Sequence, residues 1–471
     1  MTTLEGCTRA ELIAIILRWE KHIARLEKRV AGLEAENAKL RKNSSTSSKP
    51  PSSDIVKPPK AKPKGRKKRR KIGGQPGHRK HDRDPFTAEE LDATWEYHLD
   101  HCPDCGGKLE PERAKTRVIQ QVEVAEPPVC KEEHHGFAYY CRRCDKVHYA
   151  PLPPEVEKGG LVGPRLTALV GYLKCACHAS FSTIRKFFRD VLQTPISRGQ
   201  LVKVIRKVSQ ALEGAYEELR DRMPTESRLN VDETGHKDNG IRYWTWCFRA
   251  ELYTLFKIDK SRGSEVLIDV LGKEFDGVLG CDYFSAYRKY MKDFSVEVQF
   301  CLAHLIRDVK FLTTLPNRAT RRYGERVLDG LRRLFRVIHR CEAMTEAGFA
   351  RALERARRDL IATAKRAPRQ RKAQNLAKRF RLHGEAYFRF ITTPGVSPTN
   401  NLAEQAIRFV VIDRHITQGT RSEAGRQWCE RIWTVMATCA QQGRSVLAYL
   451  ERVVHAYFTD QPIPSLLPAE P

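Results

Sequence analysis

Between residues 228 and 312 the hydrophobic pattern changes period, and this stretch most constrains what the chain can become. Ile241–Arg249 and Leu252–Ile258 alternate aromatic and β-branched residues with polar ones, the two-residue period of paired strands. Ser264–Leu271 reads as a helix. Val278–Cys281 is a short apolar strand, and Val296–Cys301 is another that leads into a helix over Leu302–Leu312. The predicted order is β-β-β-α-β-α-β-α. Two of the apolar runs end in an aspartate: Asp232 in Arg228-Leu-Asn-Val-Asp-Glu-Thr234, and Asp282 in Gly277-Val-Leu-Gly-Cys-Asp-Tyr283. A carboxylate at the mouth of each of two buried strands suits a hard divalent cation such as Mg²⁺, because rigid strands hold oxygen ligands close together.

The charge distribution suggests what such a cation would act on. The formal net charge is +27, which points to nucleic acid ahead of an anionic membrane. Residues 41–80 carry fifteen Lys/Arg and one acid, and residues 317–381 carry twenty Lys/Arg and six acids. These two segments account for the whole excess, so a near-neutral body containing both aspartates lies between and around them. No apolar run approaches the ~18 residues of a spanning helix, and the N-terminus lacks a signal peptide's pattern. A soluble, intracellular protein is expected. The 14 cysteines fit a reducing compartment, since four form C-x-x-C pairs and the rest are scattered through apolar segments.

The N-terminal 42 residues read as a leucine-zipper-like helix. Leu12, Trp19, Leu26, Leu33 and Leu40 recur every seven residues, and Ile16, Ile23, Val30 and Asn37 fall four later in each heptad. With the second set at a and the first at d, a parallel dimer is favoured, and Asn37 fixes register against its twin. Residues 43–94 form a Ser/Pro/Lys-rich arm too polar to fold alone, containing Arg66, Lys67, Lys68, Arg69, Arg70 and Lys71 as phosphate contacts. In 95–155, Cys102-x-x-Cys105 and Cys141-x-x-Cys144 read as a zinc ribbon holding one structural Zn²⁺, with four thiolates leaving no open position. Residues 156–225 alternate helices with short breaks: Leu161–Cys177, Phe181–Val191, and a third from Gly199 to about Leu219 with Ser197 as N-cap. The third carries Arg198, Lys203, Arg206 and Lys207, the pattern of a helix-turn-helix reader of DNA. Residues 317–390 are Arg-rich helical repeats without strand signal, inserted before the last part of the fold at 391–471.

A two-metal site asks for a third carboxylate. Pro398-Thr399-Asn400 starts a helix on which Asn401, Glu404 and Arg408 share one face. Glu404 is the leading candidate on this spacing, with Glu430 and Glu423 as alternatives.

These features together resemble the transposases of the insertion-sequence 66 type, members of the Asp-Asp-Glu class with a ribonuclease-H-like catalytic domain. The likeness runs through the zipper, Asn43-Ser-Ser-x-Ser-Ser-Lys-Pro-Pro-Ser-Ser-Asp54 and Gly73-Gly-Gln-Pro-Gly-His78. It continues through the double C-x-x-C, Val231-Asp-Glu-Thr234, Cys281-Asp-x-x-x-Ala-Tyr287, Cys301-Leu-Ala-His304 and Asn400-Asn-x-Ala-Glu404-x-x-x-Arg408. Small departures are Tyr283-Phe284 after Asp282, Gln405 after Glu404, and Trp19 in place of a zipper leucine. The resemblance implies that Asp232, Asp282 and Glu404 are the catalytic acids. Two Mg²⁺, with Mn²⁺ as substitute, would lie ~3.5–4 Å apart between them. Cys301 and His304 match a C-x-x-H of several such transposases and, with Asn401 and Arg408, are expected to support the site.

The expected molecule is a multidomain α+β protein. A coiled coil (1–42), basic arm (43–94), zinc ribbon (95–155) and helical DNA-binding region (156–225) precede a ribonuclease-H-like α/β domain (226–316 and 391–471), which is interrupted by the all-α insertion (317–390). Its expected work is cleavage and strand transfer of a bacterial insertion sequence's DNA. It would bind the element's terminal repeats and target DNA as a homodimer or larger oligomer, with small accessory proteins of the same element, in the cytoplasm and on the nucleoid. The alternatives are a non-enzymatic dimeric zinc-containing DNA-binding regulator and a ribonuclease-H-like nuclease that cuts without joining.

Overall fold

The structure, a computed structural model, describes residues 8–40, 85–95, 101, 104–107, 118–122 and 128–468. The chain divides into two units, Met1–Pro59 with Glu133–Pro471, and Lys60–Glu132. In the smaller unit, the Gln120 side-chain amide holds the backbone N–H and C=O of Phe86 (2.7 and 3.0 Å). A single 3₁₀ turn, Ala88–Glu90, follows behind a Thr87/Glu90 capping box.

The larger unit begins with one helix, α1 (Arg9–Leu40). Its heptad residues Ile16, Trp19, Ile23, Leu26, Val30 and Leu33 are all exposed. A short hairpin follows, β1 (Ala138–Cys141) paired antiparallel with β2 (Lys146–Tyr149).

Five helices come next: α2 (Pro154–Gly159), α3 (Pro164–Cys175), α4 (Phe181–Asp190), α5 (Arg198–Ala211) and α6 (Glu213–Arg222). Ser197 caps α5 in a capping box with Gln200. The long third helix expected from sequence is broken at Leu212, which is fully buried and has ψ near −8°. The physical reason is a tertiary partner. The Ser209 carbonyl, which an unbroken helix would offer to residue 213, instead accepts from Arg431 Nη1 (2.9 Å), and Arg431 also pairs with Glu213.

The central sheet holds β3 (Arg228–Asp238), β4 (Ile241–Arg249), β5 (Thr254–Asp259), β6 (Val278–Cys281) and β7 (Glu297–Phe300) in the order β5-β4-β3-β6-β7. The β3–β4 and β4–β5 pairs are antiparallel, whereas β3–β6 and β6–β7 are parallel. The crossovers that parallel pairing demands are α7 (Glu265–Leu271) before β6 and α8 (Ser285–Phe294) before β7. Trp246, Phe248, Leu255, Phe256, Leu279 and Phe300 are buried and form the core of this mixed α/β architecture.

After β7 come α9 (Leu302–Thr313), α10 (Arg318–Ile338), α11 (Glu346–Lys365), α12 (Arg371–His383) and the short α13 (Arg389–Thr392). On α10, Tyr323, Val327, Leu331 and Leu334 are buried while Arg321, Arg322, Arg332 and Arg333 are exposed. The insertion thus folds on an apolar stripe and turns its arginines outward. Gln299 ties its return to the sheet, donating to the Tyr387 carbonyl (3.0 Å) and accepting from Phe390 N–H (3.0 Å).

The chain closes with α14 (Asn401–Thr417), α15 (Glu423–Gln441) and α16 (Val446–Phe458). Helix α15 covers the open edge of β5. Thr438 Oγ1, Thr434 Oγ1 and Glu430 Oε1 accept the backbone N–H groups of Thr254, Phe256 and Ile258 (3.1, 3.0 and 2.6 Å). An edge covered this way cannot recruit a foreign strand.

Candidate active site

Asp232 and Asp282 are brought together by strand register. The parallel β3–β6 pair runs from Arg228↔Val278 to Asn230↔Gly280, so each aspartate stands two residues beyond its strand's last paired position in that ladder. Neighbouring strands lie about 4.8 Å apart, which places both carboxylates at one end of the sheet centre. Asp282 Oδ1 accepts from Phe284 N–H (2.8 Å), a turn that starts α8. Asp232 Oδ1 accepts from Glu233 N–H (2.9 Å). Among the described residues neither aspartate makes an ion pair.

Glu404 lies in the first turn of α14, close enough for its charge to act on Asp232. The residue that seats this helix is Asn400, which is 1% exposed. Its side chain donates to the Val231 carbonyl (2.8 Å) and accepts from Asn230 Nδ2 (2.9 Å). Its backbone N–H is directed at Cys301 Sγ (3.1 Å). At a helix start, Asn usually caps its own helix, but Asn400 makes no cap bond and spends its amide on β3. Farther along, Arg414 Nη1 donates to Thr234 Oγ1 (3.1 Å). Asn230, Asp232 and Thr234 alternate onto one face of β3, the face that α14 covers.

The electrostatics are those of a crowded set of anions. Asp232 is partly exposed at its rim but enclosed by protein on most sides. Burial, then the charges of Glu233, Asp282 and Glu404, push its carboxyl well above the usual range. Asp282 is also raised, mainly by burial. Asp232 therefore feels carboxylates 50 and 172 positions later in the sequence. Glu233, on the opposite face of β3, has a side chain only 1% exposed. It is gripped by Arg262 (2.6 and 3.0 Å) and by the Tyr287 hydroxyl. Burial and Asp282 still raise it to about 7. Arg262 in turn lies over the rings of Trp244 (4.3 Å) and Phe284 (4.0 Å).

Cys301 and His304 open α9, and both are buried. His304 Nδ1 is 3.4 Å from Glu404 Oε1 and makes no hydrogen bond among the described residues. Arg307 Nη2 donates to His304 Nε2 (3.1 Å) and to Glu404 Oε1 (3.0 Å). Burial, reinforced by Arg307, lowers His304 to about 3, so the imidazole is neutral.

The other residues singled out from sequence fall elsewhere. Asn401 and Arg408 are exposed on α14. Glu430 is committed to the β5 edge, and Glu423 is exposed in the first turn of α15. On α5, Arg198, Lys203 and Arg206 are exposed. Lys207 instead bonds the Lys158 and Gly159 carbonyls that end α2. Cys141 and Cys144 flank the β1–β2 turn, where backbone N–H groups of Cys144 and Arg143 hold the Cys141 thiol below its usual range. Cys105 belongs to the smaller unit, and Cys102 lies outside the described residues, as do Arg66–Lys71. Among the zipper positions, Leu40 ends α1, and nothing is described of its side chain.

Spacing arguments missed Asn400, Glu233, Arg262 and Arg307. The first two stood unassigned inside quoted motifs, Asn400-Asn-x-Ala-Glu404 and Val231-Asp-Glu-Thr234. The two arginines carried no local signal. A hollow of about 500 Å³ lies beside the β3–β4 turn, lined by His236, Lys237, Arg242, Arg414 and His415 among others.

Comparison with known proteins adds a family. The model described as "Transposase IS66 family" matches residues 159–427, a span that holds all three acids and the whole insertion. A second model, "Family of unknown function (DUF6444)", matches residues 6–84. No curated protein matches the chain. Among the described residues no helix is long and apolar enough to cross a membrane.

Proposed function

The chain belongs to the IS66 transposase family, and from that premise we propose that it cleaves and joins DNA strands at a two-metal site held by Asp232, Asp282 and Glu404. One observation carries the reading. Three carboxylates from β3, the end of β6 and the first turn of α14 converge closely enough that Asp282 and Glu404 both raise the proton affinity of Asp232. The sheet order, three antiparallel strands followed by two parallel ones, supports a ribonuclease-H-like catalytic domain.

The residues present fit divalent cations. Asp232 and Asp282 are desolvated and mutually repelled, and they make no ion pair among the described residues. A set of hard oxygens with unbalanced negative charge suits Mg²⁺. Two bound Mg²⁺ would supply Lewis-acid activation of an oxygen nucleophile and charge neutralisation at the attacked phosphate. The protein's own contribution is preorganisation. Asn400 and Asn230 lock α14 to β3, so Glu404 keeps its place one turn away. Arg262 and Tyr287 restrain Glu233 beneath Asp232. Arg307 neutralises Glu404 and draws it toward α9. The outward arginines of α10, the exposed cations of α5 and the basic arm would grip phosphate without reading sequence. The hollow lined by Lys237, Arg242 and Arg414 offers a further contact for backbone phosphate at the β3–β4 turn.

The remaining parts belong to the same proposal. Cys102, Cys105, Cys141 and Cys144 would hold one structural Zn²⁺, and the N–H groups aimed at Cys141 favour its thiolate form. The exposed heptad face of α1 would pair with a second copy. DNA, both element ends and target, is the partner.

The experiment is strand transfer of a pre-cut element end in Mg²⁺ with Asp232→Asn, Asp282→Asn and Glu404→Gln. Each is expected to bind DNA and lose joining. Wild-type joining by any one of them removes that residue from the site. Cleavage without joining by the unmodified protein would instead favour a nuclease.

A further inference from the structure

Cys301, His304 and Glu404 present one ligand atom each within 4.8 Å of one another. They differ in chemistry from the two aspartates, because a thiol and an imidazole are soft or borderline donors. Their local order follows from the helix. Cys301 is the N-cap of α9 and His304 lies in its first turn, so the two face the same side. Asn400 N–H donates to Cys301 Sγ, a contact that a metal-bound thiolate would keep. His304 Nδ1 is buried, lacks a hydrogen-bond partner among the described residues and is 3.4 Å from the Glu404 carboxylate. Burying a nitrogen without a partner is costly, and a metal ion would relieve it.

We propose that Cys301 Sγ, His304 Nδ1 and Glu404 Oε1 form a binding site for a Zn²⁺-class transition-metal ion, separate in chemistry from the Mg²⁺ site but sharing Glu404 with it. Zinc bonds of about 2.0–2.3 Å set tetrahedral donors ~3.5 Å apart. The His304–Glu404 spacing already meets this, and the widest spacing must close by roughly 1 Å. Three protein ligands leave a fourth position open, the pattern of a non-structural zinc site. The thiolate discriminates against Mg²⁺. Arg307 is the built-in competitor. Its guanidinium donates to His304 Nε2, which therefore acts as acceptor. With Nδ1 on a metal, Nε2 carries the proton and must donate, so Arg307 has to leave both His304 and Glu404. The consequence for catalysis rests on the function proposed above: a transition-metal ion here withdraws Glu404 from Asp232 and Asp282.

The test reads metal binding and not joining, so loss of the transposase reading would leave it standing. Full-length protein, reduced and stripped with chelator, is titrated with Co²⁺ and followed by absorbance and metal content. The C-x-x-C cysteines contribute equally in every variant. Cys301→Ser is expected to bind one equivalent fewer and to lose part of the thiolate-to-cobalt charge-transfer band. Glu404→Gln, partly exposed and nearly isosteric, is expected to keep its circular dichroism and to bind that equivalent at least tenfold more weakly. It decides the matter if Cys301→Ser fails to fold, read at the thiolate-to-cobalt band, which the all-carboxylate site cannot produce. Arg307→Gln is expected to bind more tightly, since Gln can accept from Nε2–H and brings no competing charge. Wild-type stoichiometry and affinity in Cys301→Ser or Glu404→Gln overturn the site, as does weaker binding in Arg307→Gln.

Discussion

Asn400 is the sharpest point at which to test how the site is built. Its amide makes two hydrogen bonds to β3, to the Val231 carbonyl at 2.8 Å and from Asn230 Nδ2 at 2.9 Å, at a position 1% exposed. Asn400→Ala removes both and leaves two polar groups behind. Each costs about 1–3 kcal/mol when buried without a partner. Asn230 is only half-buried and can recover water, so the total is about 2–4 kcal/mol. That is a large part of the ~5–15 kcal/mol available to a domain, but not all of it. At about 2–4 °C per kcal/mol for a domain of this size, the melting midpoint should fall by roughly 5–15 °C. A merely structural residue would do no more. Because Glu404 is one helical turn farther on, the variant should also need several-fold more Mg²⁺ for half-maximal strand transfer, with DNA affinity unchanged. Asn400→Asp keeps the shape but sets an acceptor against the Val231 carbonyl and adds a negative charge near Asp232, so it should be worse than Ala on both measures. The assays are thermal and urea unfolding beside an Mg²⁺ titration of joining. A stability loss below about 0.5 kcal/mol, an unchanged Mg²⁺ requirement, or an Asp variant as stable as wild type would each refute the reasoning.

Three further outcomes are expected. Because burial and neighbouring carboxylates raise Asp232, its charge opposes folding once pH passes the ordinary Asp value; Asp232→Asn should raise the metal-free melting midpoint at neutral pH, and Mg²⁺ should stabilise wild type but not the variant, so a lowered midpoint would count against the crowding. Glu233, raised to about 7, binds more protons folded than unfolded between its ordinary value near 4.5 and 7, so stability falls as pH climbs through that window, by about 2–4 kcal/mol in total; unfolding free energy against pH should lose this slope in Glu233→Gln, and a slope that persists assigns it to another group. Thr434→Val and Thr438→Val each strip a β5 edge N–H of its acceptor; each should cost about 1–3 kcal/mol and speed hydrogen exchange at Phe256 and Thr254 respectively, and amides that stay protected would mean the edge is covered by something other than these hydroxyls.

Local pattern went far because strands and helices announce themselves through short-range periodicity. The element order across 228–312, Asp282 at the end of β6, the Arg-rich helical insertion and the start of α14 at Asn401 were all readable from spacing alone, whereas Asp232, expected at a strand end, lies inside β3, because pairing with β4 carries that strand on to Asp238. The break at Leu212 was not, because its cause is Arg431, more than two hundred residues later in the chain. Asn400 looked like a helix cap for a similar reason: the amide's true partners lie on β3, about 170 residues earlier. Lys207 counted as a DNA contact on charge, but the structure spends its ammonium on the end of α2.

The sequence by itself therefore determined the family, the candidate acids and the period of each element, all properties of residues close together in the chain. Only the tertiary structure decided which acid reaches which. Side chains separated by 50 and 172 positions meet because parallel strand register aligns Asp232 with Asp282 and one buried asparagine pins α14 against β3. The same convergence set Cys301 and His304 beside Glu404 and gave Arg307 a carboxylate to hold. Electrostatic coupling depends on distance in space, and the folded chain is the first level at which those distances exist.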